Sequence, residues 1–312
     1  MRGGRNVVWI CLAALAGASG CGKTDAVGDV LPTIGEPRTR IISLAPHLTE
    51  LVFTAGAGDF LVGAVEFSDF PAAARQLPRV GDSYRVDYEV VSSLAPDLIL
   101  VWPSGTPPEV VNRLRELGFE VLALDPTRLD DIAEQVLTIG QFAGTGQTAS
   151  IEAAKFRAEL RALKQSHTNS LPLRVFYQVS SRPYFTITGS HVIVEIINLC
   201  GGQNVFADLN GLAPAVTLES ILVADPEVII GSVAVTGQPG PQRDEWRTPW
   251  LRWQRLTAVR NNNLFSVSAD LVNRSSTRII AGARQICADL EIARERQADV
   301  AAAMIERTSV TE

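Results

Sequence analysis

Arg40 to Leu44 reads as a short buried strand, and the residues after it change period at once. Beyond Ala45 and Pro46, the apolar residues Leu48, Leu51, Val52 and Ala55 recur at i, i+3, i+4 and i+7, the spacing of one helix face. Pro46 suits the first helical position, where its missing N–H has no intrahelical partner to lose. A strand therefore hands to a helix across one tight corner. In open α/β sheets, corners at the carboxyl ends of strands are where ligands bind.

The same pattern returns later in the chain. Glu89–Trp102 (EVVSSLAPDLILVW) and Glu219–Ser232 (ESILVADPEVIIGS) each begin with glutamate and reach a proline seven residues on. Each then runs through an acidic residue into a β-branched stretch, a short helix, turn and buried strand closed by Pro96 or Pro226. Each copy follows a strand–helix–glycine unit and precedes a helix and a strand ending in aspartate, Asp125 or Asp270. The economical fold is α/β, with two βα lobes carrying mainly parallel sheets, over residues 38–144 and 169–295. Residues 296–312 are left as a C-terminal tail. Between the lobes, residues 145–168 are rich in Ala, Glu, Lys, Arg and Leu, with no glycine or proline after Gly146. They predict one helix of about 20 residues, on the order of 30 Å long. A single stiff helix joining the lobes predicts little lobe closure.

The N-terminus alters this picture by placing the chain. Arg2 and Arg5, then the apolar run VVWICLAALAGA, then small residues before Cys21, read as a signal peptide over residues 1–20. The run is too short to span a bilayer. Ala18–Ser19–Gly20–Cys21 resembles a bacterial lipobox, which makes Cys21 the lipidated mature N-terminus and gives the protein a membrane anchor. Cleavage at an ordinary signal-peptidase site is the alternative. Residues 21–37 are Gly/Pro-rich without periodicity, as a flexible tether is. Cys11 leaves with the signal, so Cys200 and Cys287 remain as an even pair in an oxidising compartment. They form either a disulfide or two buried thiols. The net charge is −6, and −8 once Arg2 and Arg5 are gone. An acidic balance with no basic run argues against nucleic acid.

The order signal peptide, α/β lobe, single long helix, α/β lobe resembles the substrate-binding proteins of the iron-siderophore, haem and cobalamin ABC importers. The strings ISLAPHLTELVFTAGAG, FSDFP, SLAPDLILVW, LGFEVLALD, LCGGQNVFAD and STRIIAGARQIC carry the resemblance, over roughly residues 38–292. Within that superfamily they are most similar to the cobalamin-binding members. The resemblance implies a monomer with a ligand cleft between its lobes. It also implies cobalamin or a related corrinoid as transported ligand rather than cofactor, and an ABC permease dimer with its ATPase subunits as partner.

A corrin disc needs aromatic faces, apolar contacts and a few hydrogen-bonding groups. By the resemblance, Phe67, Trp102 and Phe185 sit where the family stacks aromatics on the corrin. Pro46 lines the cleft, Asp270 and Arg274 hydrogen-bond the ligand, and Tyr84 follows a strand end nearby. Core packing for the rings, and a local salt bridge for Asp270 and Arg274, are the competing readings. Ala213 stands where the cobalamin-binding members have a tryptophan. His47 suits a polar cleft wall better than a metal ligand, because the other histidines, His167 and His191, lie in distant elements. Glu89 and Glu219, one per lobe, match family glutamates that pair with permease arginines, and also suit helix N-termini.

A secreted hydrolase is the competing class. The chain has no G-x-S-x-G elbow and no H-E-x-x-H. Nothing in it calls for catalysis or a bound metal. A ferric-siderophore or haem ligand remains the alternative within binding, and Arg85, Arg182 and Arg274 could serve an anionic ligand.

Overall fold

The structure is a computed structural model and describes residues 36–82, 84–233 and 245–309. The expected signal peptide, the lipidation site Cys21 and all but the last two tether residues lie outside them.

The first lobe carries β1 (Ile41–Ser43), β2 (Leu61–Ala64), β3 (Leu98–Val101) and β4 (Val121–Ala123). They form a parallel sheet in the order β2-β1-β3-β4. Its helices are α1 (Pro46–Thr54), α2 (Tyr88–Ser93), α3 (Pro108–Glu116) and α4 (Leu129–Ala143). Helix α5 (Gly146–Ser166) leads to the second lobe. There the strands are β5 (Leu173–Gln178), β6 (Ser180–Ser181), β7 (Tyr184–Phe185), β8 (Gly202–Asn204), β9 (Ala215–Val216), β10 (Val228–Val233) and β11 (Leu264–Ser268). Strands β8-β5-β10-β11 make the second parallel sheet, while β6-β7-β9 form a small antiparallel one. The helices are α6 (Val192–Leu199), α7 (Leu218–Ala224), α8 (Thr248–Leu251), α9 (Thr257–Arg260), α10 (Ala269–Val272) and α11 (Ile279–Ser309).

Counted along the chain, each main sheet has its strands in the order second, first, third, fourth. The repeated Glu-to-Pro segment delivers the third strand in both. The central strands β1, β3, β5 and β10 are largely buried on two faces, and the two-residue alternation sorts their side chains between two cores. Ile41, Leu98, Leu100, Val175, Tyr177, Val228 and Ile230 enter one cluster that continues from lobe to lobe. Ile42, Ile99 and Val101 face an outer core in the first lobe, and Phe176 and Ile229 one in the second.

Helix α5 buries Ala149, Ala153 and Phe156 along one face. It approaches α4 so closely that a Cβ on Gly140 would lie 2.3 Å from the Ala149 methyl, which leaves only glycine there. Cys200, the C-cap of α6, is disulfide-bonded to Cys287 of α11 with Cα atoms 4.8 Å apart. Residues 296–309, within the expected tail, continue α11 to Ser309. Among the described side chains of α11 the last buried one is Ala293, so burial sets no apolar period in those that follow. The run of alanines and charged residues there continues the helix through its own propensity.

Candidate ligand cleft between the lobes

The carboxyl ends of both parallel sheets meet at a crevice of about 160 Å³. Trp102, Ser104 and Asp125 line it from the first lobe, and His191, Leu212, Ala213, Asn273 and Ser275 from the second. Clefts that enclose a drug-sized ligand run to several hundred Å³. This crevice is smaller than that. Another hollow, about 680 Å³, lies beside Asp225 and residues 252–256, next to the amino end of β10 and away from these strand ends.

The corner at Pro46 joins β1 to α1. Pro46 starts α1 after an N-cap, Ala45, that has no side-chain cap. Below it, the Thr49 hydroxyl reaches Ser43 at 3.0 Å and Ser68 at 3.1 Å, joining the ends of β1 and β2. His47 is buried and meets the Trp102 ring edge-on, with centroids 5.1 Å apart. Burial pushes its imidazole down to about 4, against a raising effect of Asp125 and with a lowering one from Arg274. It stands neutral behind the indole. Trp102 leaves β3 half-buried, and its Nε1–H donates to Asp125 Oδ1 at 2.9 Å. The Ser104 hydroxyl donates to the other oxygen of Asp125 at 2.6 Å.

Three further aromatic candidates are uncovered to different degrees. Phe67, after β2, is 75% exposed and Tyr84 71%. The Phe67 backbone has φ +65°, a left-handed conformation that costs a bulky side chain on the order of 1 kcal/mol or more. The neighbouring bonds hold it there: Val65 N–H to Ser43 O and Ser68 N–H to Val65 O. On β7, Tyr184 packs against Trp250 at 5.2 Å, whereas Phe185, on the opposite face, stays half-exposed.

Arg274 is already engaged. It bonds Asp69 Oδ1 at 2.6 Å and Glu50 Oε1 at 3.2 Å, both in the first lobe, and lies 3.4 Å from Asp270. Arg278 reaches the same Glu50 oxygen at 3.0 Å and stacks over the Phe70 ring at 4.0 Å. Ser276 donates to the other Glu50 oxygen. Burial pushes the Glu50 carboxyl above the usual range, and these donors pull it back only in part. A second tie crosses elsewhere: Leu129, the first residue of α4, donates its N–H to Glu195 of α6 at 2.7 Å. Charged and capping contacts thus join the lobes in two places.

Glu89 and Glu219 are exposed and hold the same position, the second residue of α2 and of α7. Each helix is capped by its preceding residue, Asp87 or Thr217. Among the described residues, no cluster of three or more His, Cys, Asp or Glu could hold a metal, and no helix is long and apolar enough to cross a membrane.

A family model for periplasmic binding proteins matches residues 41–271, both sheets and the cleft between them. The chain belongs to the periplasmic binding protein family. This periplasmic binding protein is 36% identical over 261 residues to the vitamin B12-binding protein of Vibrio cholerae, an alignment covering 83% of this chain and 92% of that one. It is 34% identical over 248 residues to the vitamin B12-binding protein of Yersinia pestis, covering 80% and 85%. The crystal structure of the periplasmic vitamin B12 binding protein of Vibrio cholerae superposes with a TM-score of 0.74 at 37% identity, covering 83% of this chain and 98% of that one. A periplasmic heme-binding protein from Roseiflexus shares the fold at a TM-score of 0.70 and 21% identity, covering 81% and 98%. As a member of this family the protein binds solute outside the cytoplasm and is not an enzyme.

The structure groups Trp102 and Ala213 at the crevice, and it commits Arg274 to carboxylates. Phe67, Tyr84, Pro46 and Phe185 lie outside the crevice lining. Sequence reasoning missed Asn273 and Ser275, beside the two residues it chose, and gave Asp125 no role beyond ending a strand. The signal for Asp125 was one of position alone: Asp125 and Asp270 each stand two residues past the end of the fourth strand of their sheet.

Proposed function

We propose that the protein captures cobalamin, or a related corrinoid, in the cleft and delivers it to an ABC importer in the membrane. The observation that carries the ligand is the contrast in relatedness. The vitamin B12-binding protein of Vibrio cholerae matches at 36–37% identity along nearly its whole length, while a heme-binding structure shares the fold at 21%. The chemistry of the cleft supports it. Trp102 supplies a flat ring at the crevice, and Phe67, Tyr84 and Phe185 leave aromatic surface uncovered around the strand ends. A corrin disc laid across the mouth would use such faces, with Pro46 beside it and Asp270 and Arg274 as polar partners.

An anionic siderophore is less well served. Arg274 faces Glu50, Asp69 and Asp270, so the cleft's best-placed guanidinium is already balanced. Arg85 and Arg182 are exposed on separate loops. In this reading Glu89 and Glu219 clasp the two-fold permease, which its ATPase subunits drive, and Cys21 carries the lipid that keeps the protein at the membrane. The protein acts as a monomer. Incubation with cyanocobalamin, haem or a ferric siderophore, then gel filtration, tests the ligand. Corrinoid absorbance should co-elute; co-elution of haem or siderophore colour alone overturns the assignment.

A further inference from the structure

The indole of Trp102 is held from three sides, and only one of those restraints is a polar bond. Its Nε1–H donates to Asp125 Oδ1 at 2.9 Å, across from β3 to the end of β4. Asp125 is itself oriented by Ser104 at 2.6 Å, from the same loop as the tryptophan. The ring lies against Gly105, where an added Cβ would sit 2.1 Å from indole Cε3 and 2.2 Å from Cζ3. His47 closes the remaining side edge-on, at 5.1 Å and 89°. An indole on a strand-end loop otherwise samples several rotamers, and fixing it on binding costs affinity. Here the cost is met in the folding of the free protein.

We infer that Asp125 is a positioning residue for ligand binding: its carboxylate, braced by Ser104, locks the Trp102 ring in the cleft before any ligand arrives. This rests on the corrinoid reading for the identity of the ligand, but the locking itself belongs to the free protein. Asp125 supplies the acceptor, Gly105 the flat bed and His47 the backstop. Asparagine can replace aspartate in this role, because its carbonyl accepts the indole N–H while the Ser104 hydroxyl turns to accept from its amide. Alanine cannot.

The test separates locking from binding. The ¹H–¹⁵N indole resonance of Trp102, assigned by its loss in W102F, is recorded in ligand-free wild type, D125A and D125N. It should move upfield or broaden in D125A and return close to its wild-type position in D125N. Cyanocobalamin titration should show D125A weakened by about 3- to 10-fold, the cost of one newly immobilised side chain, with D125N near wild type. An unchanged indole resonance in D125A overturns the inference, as does a displaced resonance with unchanged affinity. If wild type binds no corrinoid, the ligand reading fails while the resonance still judges the lock. Should D125A not fold, G105A reaches the same ring from the other side: its methyl must displace the indole and weaken binding with Asp125 intact. A G105A protein with wild-type affinity overturns the inference equally.

Discussion

Glu50, on the first helix of one lobe, accepts from Arg274 of the other lobe at 3.2 Å while only 3% exposed. A carboxylate taken that far from water is tolerated because Arg278 and Ser276 satisfy the rest of it.

Removing Arg274 leaves that carboxylate with one guanidinium and strands Asp69 as well. R274A should destabilise the protein by about 1–3 kcal/mol, the usual cost of an under-satisfied buried polar group. E50A should cost more, since it leaves two guanidiniums facing each other. Urea unfolding with an unchanged m-value measures both. If R274A is neutral for stability yet weakens cobalamin binding, the arginine serves the ligand instead of the lobe junction.

Trp102→Ala should weaken cobalamin binding by ~1–3 kcal/mol, taking the stacking of bases on aromatic rings as the analogue. Titration by corrinoid absorbance reads this directly. Unchanged affinity with a large fall in melting temperature would make the ring part of the core.

The Cys200–Cys287 bond closes a loop of 87 residues in sequence separation. Paired serine substitution should cost up to roughly 4–5 kcal/mol on the chain-entropy account. Ligand binding below the lowered melting temperature should persist, because the bond joins α6 to α11 behind the cleft. Calorimetry with and without reductant provides the comparison.

Acid should destabilise the protein through its histidines. Burial lowers His47 and His191 to about 4. The unfolded chain takes up these protons near 6.5, the folded one only near 4, so stability is complete above that range and falls as pH drops through it. For His47 the loss approaches roughly 3 kcal/mol. His191 also loses its role as cap, since its Nδ1 accepts the Ile193 N–H. Asp289 acts oppositely: burial raises it to about 7, so the native state gains stability as pH falls from 7 towards 4. H47Q should flatten the acid loss and D289N steepen it, as chemical denaturation at about pH 7.5, 6 and 5 will show.

On the proposed docking role, charge reversal at Glu89 or Glu219 should leave cobalamin affinity intact and weaken transport, because like charges would then face arginines on the permease. The double reversal should abolish uptake even at saturating ligand. Normal transport by the double variant would leave both residues as N-terminal helix acids only.

Much of the architecture was legible because it rests on local periods. The strand at Arg40–Leu44, the proline at the first position of α1 and the breaker-free stretch after Gly146 each specify an element without tertiary help. The length of α11 was not legible, since no described side chain past Ala293 is buried to set an apolar period. The cleft was harder still. Trp102 stands out by type and place, but Asp125 becomes meaningful only when β3 and β4 lie side by side and its carboxylate meets an indole 23 residues away. Arg274 reads locally as half of a pair with Asp270; its bonds to Glu50 and Asp69 span more than two hundred residues of sequence.

The hydrogen bond from Leu129 to Glu195 has a consequence for how this protein could be taken apart or recombined. The first amide of helix α4 is satisfied by a residue encoded 66 positions later, on the other lobe. Glu50 in turn depends on donors from the opposite half. Neither half, expressed alone, would carry a complete set of partners. A chimera joining this first half to a cousin's second half would inherit an orphaned amide and an unaccompanied carboxylate unless both acceptor and donors travelled with it. For this chain the unit of exchange is the whole pair of lobes.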